Sequence, residues 1–239
     1  MFHKTKGIVL HTIKYSETSV IAKIYTEKLG LVSYMIKGVR SSKTTSKASL
    51  LQPLTLLEME VSHRENKQLQ YIKEFRRDVV YQSIPFNTLK STVALFLLEL
   101  ISKSIREQEQ NSEMFEFIYE SLKVLDDSTT LNPDFHLLFL VHFTRHLGFV
   151  PHGNYSLQNP YFEMTEGFFT KQQSEMNVMN RAESRLLFDL MQANPFADEP
   201  LNITRQERKQ MLTNLIRYYQ LHLENFSLKS PEILESILE

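Results

Sequence analysis

TSVIAKIYTEKLGLVSYMIKGVR (residues 18–40) is the stretch whose period decides how the first part of this chain folds. Alternation across residues 18–26 puts Val20, Ala22 and Ile24 on one face and Ile21, Lys23 and Tyr25 on the other. That period of two belongs to a strand with one buried side. The EKLG segment that follows predicts a turn with a positive φ at Gly30. A second strand then runs through LVSYMIKG, so the pair reads as a hairpin.

The pattern extends in both directions. KGIVLHTI (6–13) alternates, with Ile8, Leu10 and Thr12 expected on one side. LQPLTLLEMEVSH (51–63) and KQLQYIKEFRR (67–77) add two more β-rich segments, and Pro53 should mark a strand start or an edge. Five such segments joined by turns and one longer polar loop suit a small antiparallel barrel or a sandwich.

The polar loop is KGVRSSKTTSK (37–47), with four cations, five hydroxyls, one glycine and no acid. The chain as a whole has a formal net charge of −1, which conceals a division. Residues 1–80 hold fourteen Lys and Arg against seven Asp and Glu, and the remaining residues hold thirteen against twenty-one. A basic first part joined to an acidic second part points to a polyanion-facing module attached to something else. Read alone, the loop could be merely solvated. It lacks the second glycine before a lysine that a phosphate-cradling loop needs. As a nucleic-acid contact it offers Lys37, Arg40, Lys43 and Lys47 to phosphates, with hydroxyls and backbone N–H groups beside them. Tyr15, Tyr25, Tyr34 and Tyr71 lie near lysines and are candidates for base stacking, although an aromatic in a strand more often belongs to the core.

After residue 86 the period becomes helical. Asn87 is placed to cap a helix through Val93, Phe96, Leu97, Leu100, Ile101 and Ile105. A second helix runs through NSEMFEFIYESLKVL. A third has Asn132 as N-cap, Pro133 at its first position and Gly148 at its end. Asn180/Glu183 and Thr204/Glu207 are capping-box pairs, and a short helix begins at SPEIL. Residues 149–178 form an irregular aromatic stretch between them. The domain division expected is 1–80 and 81–239.

The chemistry is sparse. His142 and His146 stand one helical turn apart, but Phe143 occupies the position where a metalloprotease helix carries glutamate. There is no cysteine, hence no disulfide, thiolate nucleophile or cysteine-ligated zinc. No nucleophile triad, dinucleotide loop or carboxylate pair stands out. No catalytic residue, metal or cofactor is expected, and no apolar run is long enough to span a membrane.

IVL (8–10), YSET (15–18), YTEKLGLVSYMIKGVR (25–40), SK (46–47) and LQPLTLLE (51–58) together resemble the amino-terminal region of RecO, a bacterial recombination-mediator family. HLGFVP (146–151) and YFEMTEGFF (161–169) are similar to later segments of the same family. The resemblance implies an α+β architecture: an oligonucleotide-binding (OB) barrel followed by an all-helical domain. It implies a non-enzymatic, cytoplasmic, nucleoid-associated mediator that binds single- and double-stranded DNA and anneals strands. Its partners would be RecR and the single-strand-binding protein. Lys37, Gly38, Arg40 and Lys47 match family positions that are basic or glycine, and Lys43, Lys23, Arg76 and Arg77 complete the expected DNA-binding set. Many family members carry two CxxC pairs that are missing here, so residues 152–170 should hold their shape by packing of Tyr155, Tyr161, Phe162, Phe168 and Phe169. Two other readings share the sequence features: a protein-interaction scaffold, and an RNA-binding barrel.

Overall fold

Five strands close into a barrel in the order β1-β2-β3-β5-β4: β1 (Phe2–Lys14), β2 (Val20–Thr26), β3 (Gly30–Ile36), β4 (Leu56–Ser62) and β5 (Leu69–Arg77), with a short helix α1 (Thr45–Ser49) between β3 and β4. All pairings are antiparallel except β3 with β5. This is the topology of an OB-fold. The computed structural model describes residues 2–39, 45–64, 66–106, 109–173, 176–197 and 199–237, without the side chains of Thr45 and Ser46.

The inward side follows from alternation. Val20, Ala22 and Ile24 meet Val32, Tyr34 and Ile36 and, across the barrel, Leu57, Met59 and Val61. Gly30 takes φ 63° in the hairpin turn, as expected. Pro53 lies in the turn before β4. β1 departs from simple alternation, because a bulge falls between Val9 and His11. Val9 and Thr12 therefore share the inward side with Ile24 and Ala22, whereas Ile8 pairs with Tyr25 on the outer side. An extra residue in one strand reverses the side that later residues face, which is why Ile8, Leu10 and Thr12 do not share a face.

The helices are α2 (Thr88–Ser104), α3 (Ser112–Asp127), α4 (Phe135–Leu147), α5 (Arg181–Gln192), α6 (Arg205–His222) and α7 (Pro231–Ile237). Asn87 accepts from Lys90 N at the start of α2. Both capping boxes form. α4 starts later than its sequence pattern suggests: Asp134 is the N-cap. The Asn132 amide is diverted, accepting from Asp134 N and donating to Ala197 O and Glu199 O.

The aromatic stretch after α4 is not wholly irregular. β6 (Tyr161–Glu163), β7 (Phe168–Thr170) and β8 (Val178–Met179) form a small sheet in the order β7-β6-β8. Phe162 and Phe169 are buried with ring centroids 5.1 Å apart, and Phe162 lies 5.7 Å from Tyr218. Phe168 faces outward and is 37% exposed.

The chain divides into two compact units, Met1–Gln82 with Ile105–Lys123, and Ser83–Ser104 with Val124–Glu239. In the first, the Tyr25 ring sits 6.0 Å from Phe115 of α3 and its hydroxyl donates to Asn111 O. That covers the outer face of β2 at this level, which explains why residues from 105 onward group with the barrel. In the second, two charged groups are held inside. Lys90 Nζ donates to Ser83 Oγ at 2.7 Å, Asp126 O at 2.8 Å and Ser128 O at 2.5 Å. Asp134 is fully buried, accepting from Arg208 Nε at 2.7 Å and from Leu201 N at 2.8 Å.

Two stability predictions follow from buried polar groups. Tyr34 lies fully inside the barrel and its hydroxyl has no hydrogen-bond partner among the described residues, so Tyr34→Phe should preserve or raise stability, by about 1 kcal/mol. A urea titration checks this, and a loss of that size would mean that the hydroxyl is bonded. His136 is buried, and burial, then the Arg208 charge, lowers its pKa to about 3. Between about pH 6.5 and 3 only the unfolded chain takes up that proton, so stability falls with pH across this window, by about 1.4 kcal/mol per unit. His136→Gln should flatten the slope between pH 6.5 and 5, above the carboxylate range.

Candidate nucleic-acid interface

Register sorts the outer surface of the barrel into two chemically different sides. On one, β4 lies between β1 and β5. Glu58 faces Lys6 and Arg76, and Glu60 faces Lys4 and Glu74. Arg76 Nε donates to Glu58 at 2.6 Å and its Nη2 pairs with the same carboxylate. Lys73 Nζ reaches Glu60 at 2.9 Å, and that bond raises the lysine's pKa. Lys6 is 3.5 Å from Asp78 and 4.4 Å from the centre of the Tyr119 ring. Lys6, Lys73 and Arg76 are thus compensated where they stand.

On the other side, formed by the second half of β1, by β2, β3 and the start of β5, outward positions carry no acid. One cross-strand row is His11, Lys23, Ser33 and Leu69; the next is Ile13, Ile21, Met35 and Tyr71. Lys23, Ile13 and Tyr71 are exposed. Lys37 follows β3 outward, with Nζ 5.8 Å from the centre of the Tyr71 ring. A cavity of about 320 Å³ opens beside Ser33, lined also by Lys28, His63, Lys67, Gln68 and Gln110, among others, with no carboxylate among its described lining residues. Salt-sensitive attraction of a polyanion needs such uncompensated charge.

The expected site residues separate accordingly. Lys23 and Lys37 stand on the acid-free side. Gly38 adopts φ 73°, and the space where a Cβ would sit is open. Lys47 is exposed on α1. Arg77 is exposed but lies six residues beyond Tyr71 on β5, opposite Leu57. Arg76 is held by Glu58. Arg40 and Lys43 lie outside the described residues. Of the tyrosines, Tyr15 and Tyr71 are 60% and 45% exposed, while Tyr34 is interior and Tyr25 is buried beneath Phe115. The His11, Ile13, Ile21 and Met35 positions escape a linear reading because the bulge and the β3–β5 pairing bring them into line. His136 is enclosed in α4's packing, and burial lowers the pKa of His142. Among the described residues, no three histidine or carboxylate side chains are placed to hold a metal. Nor is any described helix long and apolar enough to cross a membrane.

Residues 1–77 match the family model described as Recombination protein O N terminal, and residues 86–232 match Recombination protein O C terminal. The chain belongs to the RecO family. It is similar over its whole length to proteins named DNA repair protein RecO: 34% identical to that of Azobacteroides pseudotrichonymphae and 36% to that of Bacteroides fragilis, covering 100% of each chain. With that of Flavobacterium psychrophilum it shares 35% identity, over 99% of this chain and 98% of the relative. RecO membership gives the protein a role in DNA repair and recombination.

The two sides of this RecO barrel should respond differently to neutralisation. Arg76→Gln should change the affinity for a single-stranded oligonucleotide by less than about twofold, since an exposed paired charge contributes little. Lys23→Gln should weaken binding and lower the salt slope by about 0.7. Fluorescence anisotropy over a salt series checks both.

Proposed function

We propose that this chain is a non-catalytic mediator that holds DNA on the acid-free side of its barrel and anneals complementary strands. The observation that carries this reading is the segregation of charge around the barrel. Lys23, Lys37, Gly38 and Lys47 on the described surface, with Arg40 and Lys43 of the same loop and Arg77 further along β5, supply phosphate contacts. Arg76 adds less, because Glu58 already compensates it. Binding through phosphates is largely independent of sequence, so both single- and double-stranded DNA are accepted. Annealing then requires no acid, base or metal: a cationic surface that receives two strands lowers their mutual repulsion.

RecR and the single-strand-binding protein are the proposed protein partners in a bacterial cytoplasm, with recombinase loading as the outcome. The family resemblance supports this part of the reading. The acidic composition after residue 80 favours protein contacts there, because like charge repels DNA.

The test is binding and annealing by wild type and by a Lys23/Lys37/Arg40/Lys43/Lys47→Glu variant. The expected result is a steep fall of wild-type affinity with salt and a variant weakened at least a hundredfold at low salt, with annealing lost in parallel. Equal affinity of the two proteins would remove this surface from the mechanism. Preference for RNA over a matched DNA oligomer would favour a role in RNA binding instead.

A further inference from the structure

α7 is attached to the helical unit by little. It has seven residues, well below the roughly 12–15 at which an isolated helix becomes even marginal in water. Leu234 is its wholly buried side chain, whereas Ile233 is 58% exposed. α4, by contrast, buries every residue from Phe135 to Thr144 except His142. The rest of the attachment is polar. Glu99 of α2 accepts from Lys229 N at 2.9 Å, from Ser230 N at 2.8 Å and from the Ser230 hydroxyl at 2.5 Å. Ser230 O in turn accepts from Leu234 N, so one carboxylate satisfies amides at the start of α7 that lack a partner within the helix. Lys209 of α6 reaches Glu235 at 2.9 Å. Burial works to raise the Glu99 pKa, but the bonds from Ser230 and Lys229 and the charge of Lys103 outweigh it and lower the pKa. Leu95, one turn before Glu99 on the same side of α2, is 60% exposed.

We infer that α7 is a displaceable internal ligand of α2, and that the seat it occupies also takes a helix from a partner protein. The chemistry of the seated segment defines that partner: a hydroxyl side chain at the N-cap like Ser230, a leucine-sized residue four positions on like Leu234, and an acid after it like Glu235. Glu99 caps the incoming amides, while Lys209 and Lys103, both exposed, favour an acidic helix over a basic one. Because α7 leaves Leu95 uncovered, a partner helix that also reaches it buries more apolar surface than α7 does. Elements with few buried apolar contacts open without the rest of their domain. Here opening breaks the Leu234 anchor and the polar contacts of Glu99 and Lys209, and leaves the networks around Lys90 and Asp134 intact. The inference concerns the helical unit alone and does not depend on how the barrel holds DNA.

The probe is a labelled peptide of residues 227–237, held helical by a lactam from Glu232 to position 236 (Ser236→Lys), both of which are exposed in α7. It is offered to the full chain as wild type and as Leu234→Asp. In wild type the tethered α7 competes at an effective concentration of about millimolar. Leu234→Asp should therefore bind the peptide about tenfold more tightly than wild type, read by fluorescence anisotropy. Adding Glu99→Ala should weaken that binding about tenfold, since bonds to a charged group are lost. Hydrogen exchange on wild type should show the Leu234 amide exchanging about a hundredfold faster than the Leu138 amide of α4, although each is bonded four residues back. Equal peptide affinity of wild type and Leu234→Asp overturns the inference, as does equal protection of the two amides or a Glu99→Ala change without effect. If Leu234→Asp unfolds the whole helical unit, seen as lost protection at Leu138, the inference is also overturned, because α7 is then part of the core and not a strap upon it.

Discussion

Closure of the barrel is the constraint on which the rest depends. Once β1 and β4 pair at one seam and β3 and β5 at the other, each strand has a single inward side. Only one register then buries Val9, Val20, Ala22, Ile24, Val32, Ile36, Leu57, Met59 and Val61 together. Because side chains alternate, a slip of one residue would expose that set and bury lysines in its place. The penalty is far larger than the effect of any surface ion pair. The core therefore decides where every outward charge sits.

The charge segregation is a consequence. Glu58 and Glu60 alternate with Leu57, Met59 and Val61, so they point outward between Lys4 and Lys6 on one strand and Lys73 and Arg76 on the other. β2 and β3 bring no acid to the outside. A barrel whose overall excess of basic residues is modest thus has a mixed side, where charges cancel locally, and a side where they do not. Only the second has a long-range field to offer a polyanion. The chain-wide net charge describes neither.

The helical unit uses charge in another way. Lys90 and Asp126 are tied through Ser83, backbone carbonyls and amides, and Asp134 is tied to Arg208 and Leu201 N. Buried charges so surrounded specify one arrangement of helices, since losing one partner leaves the other unsolvated. The small β6–β8 sheet is held by rings. Phe149 stacks on His222 at 4.9 Å, and Phe162, Phe169 and Tyr218 interlock edge to face. Packing of this kind gives a short, strand-poor segment a defined shape.

Local pattern was enough for much of this protein. The period of two in residues 18–36, the turn at Gly30, the caps at Asn87, Asn180 and Thr204 and the end of α4 at Gly148 are legible because propensity and hydrogen bonding act within a few residues. The basic character of the first eighty residues is legible too, as composition. What the linear order could not decide was which cations remain uncompensated and which rings face water. Arg76 and Lys23 look alike in the sequence, yet one pairs with Glu58 of β4 and the other stands in register between His11 and Ser33. Tyr34 and Tyr71 both lie near lysines, yet one fills the barrel and the other lies on its surface. These are outcomes of strand pairing between residues far apart in the chain, together with one bulge that reverses a face. Register is set by the whole core at once, and no local signal contains it.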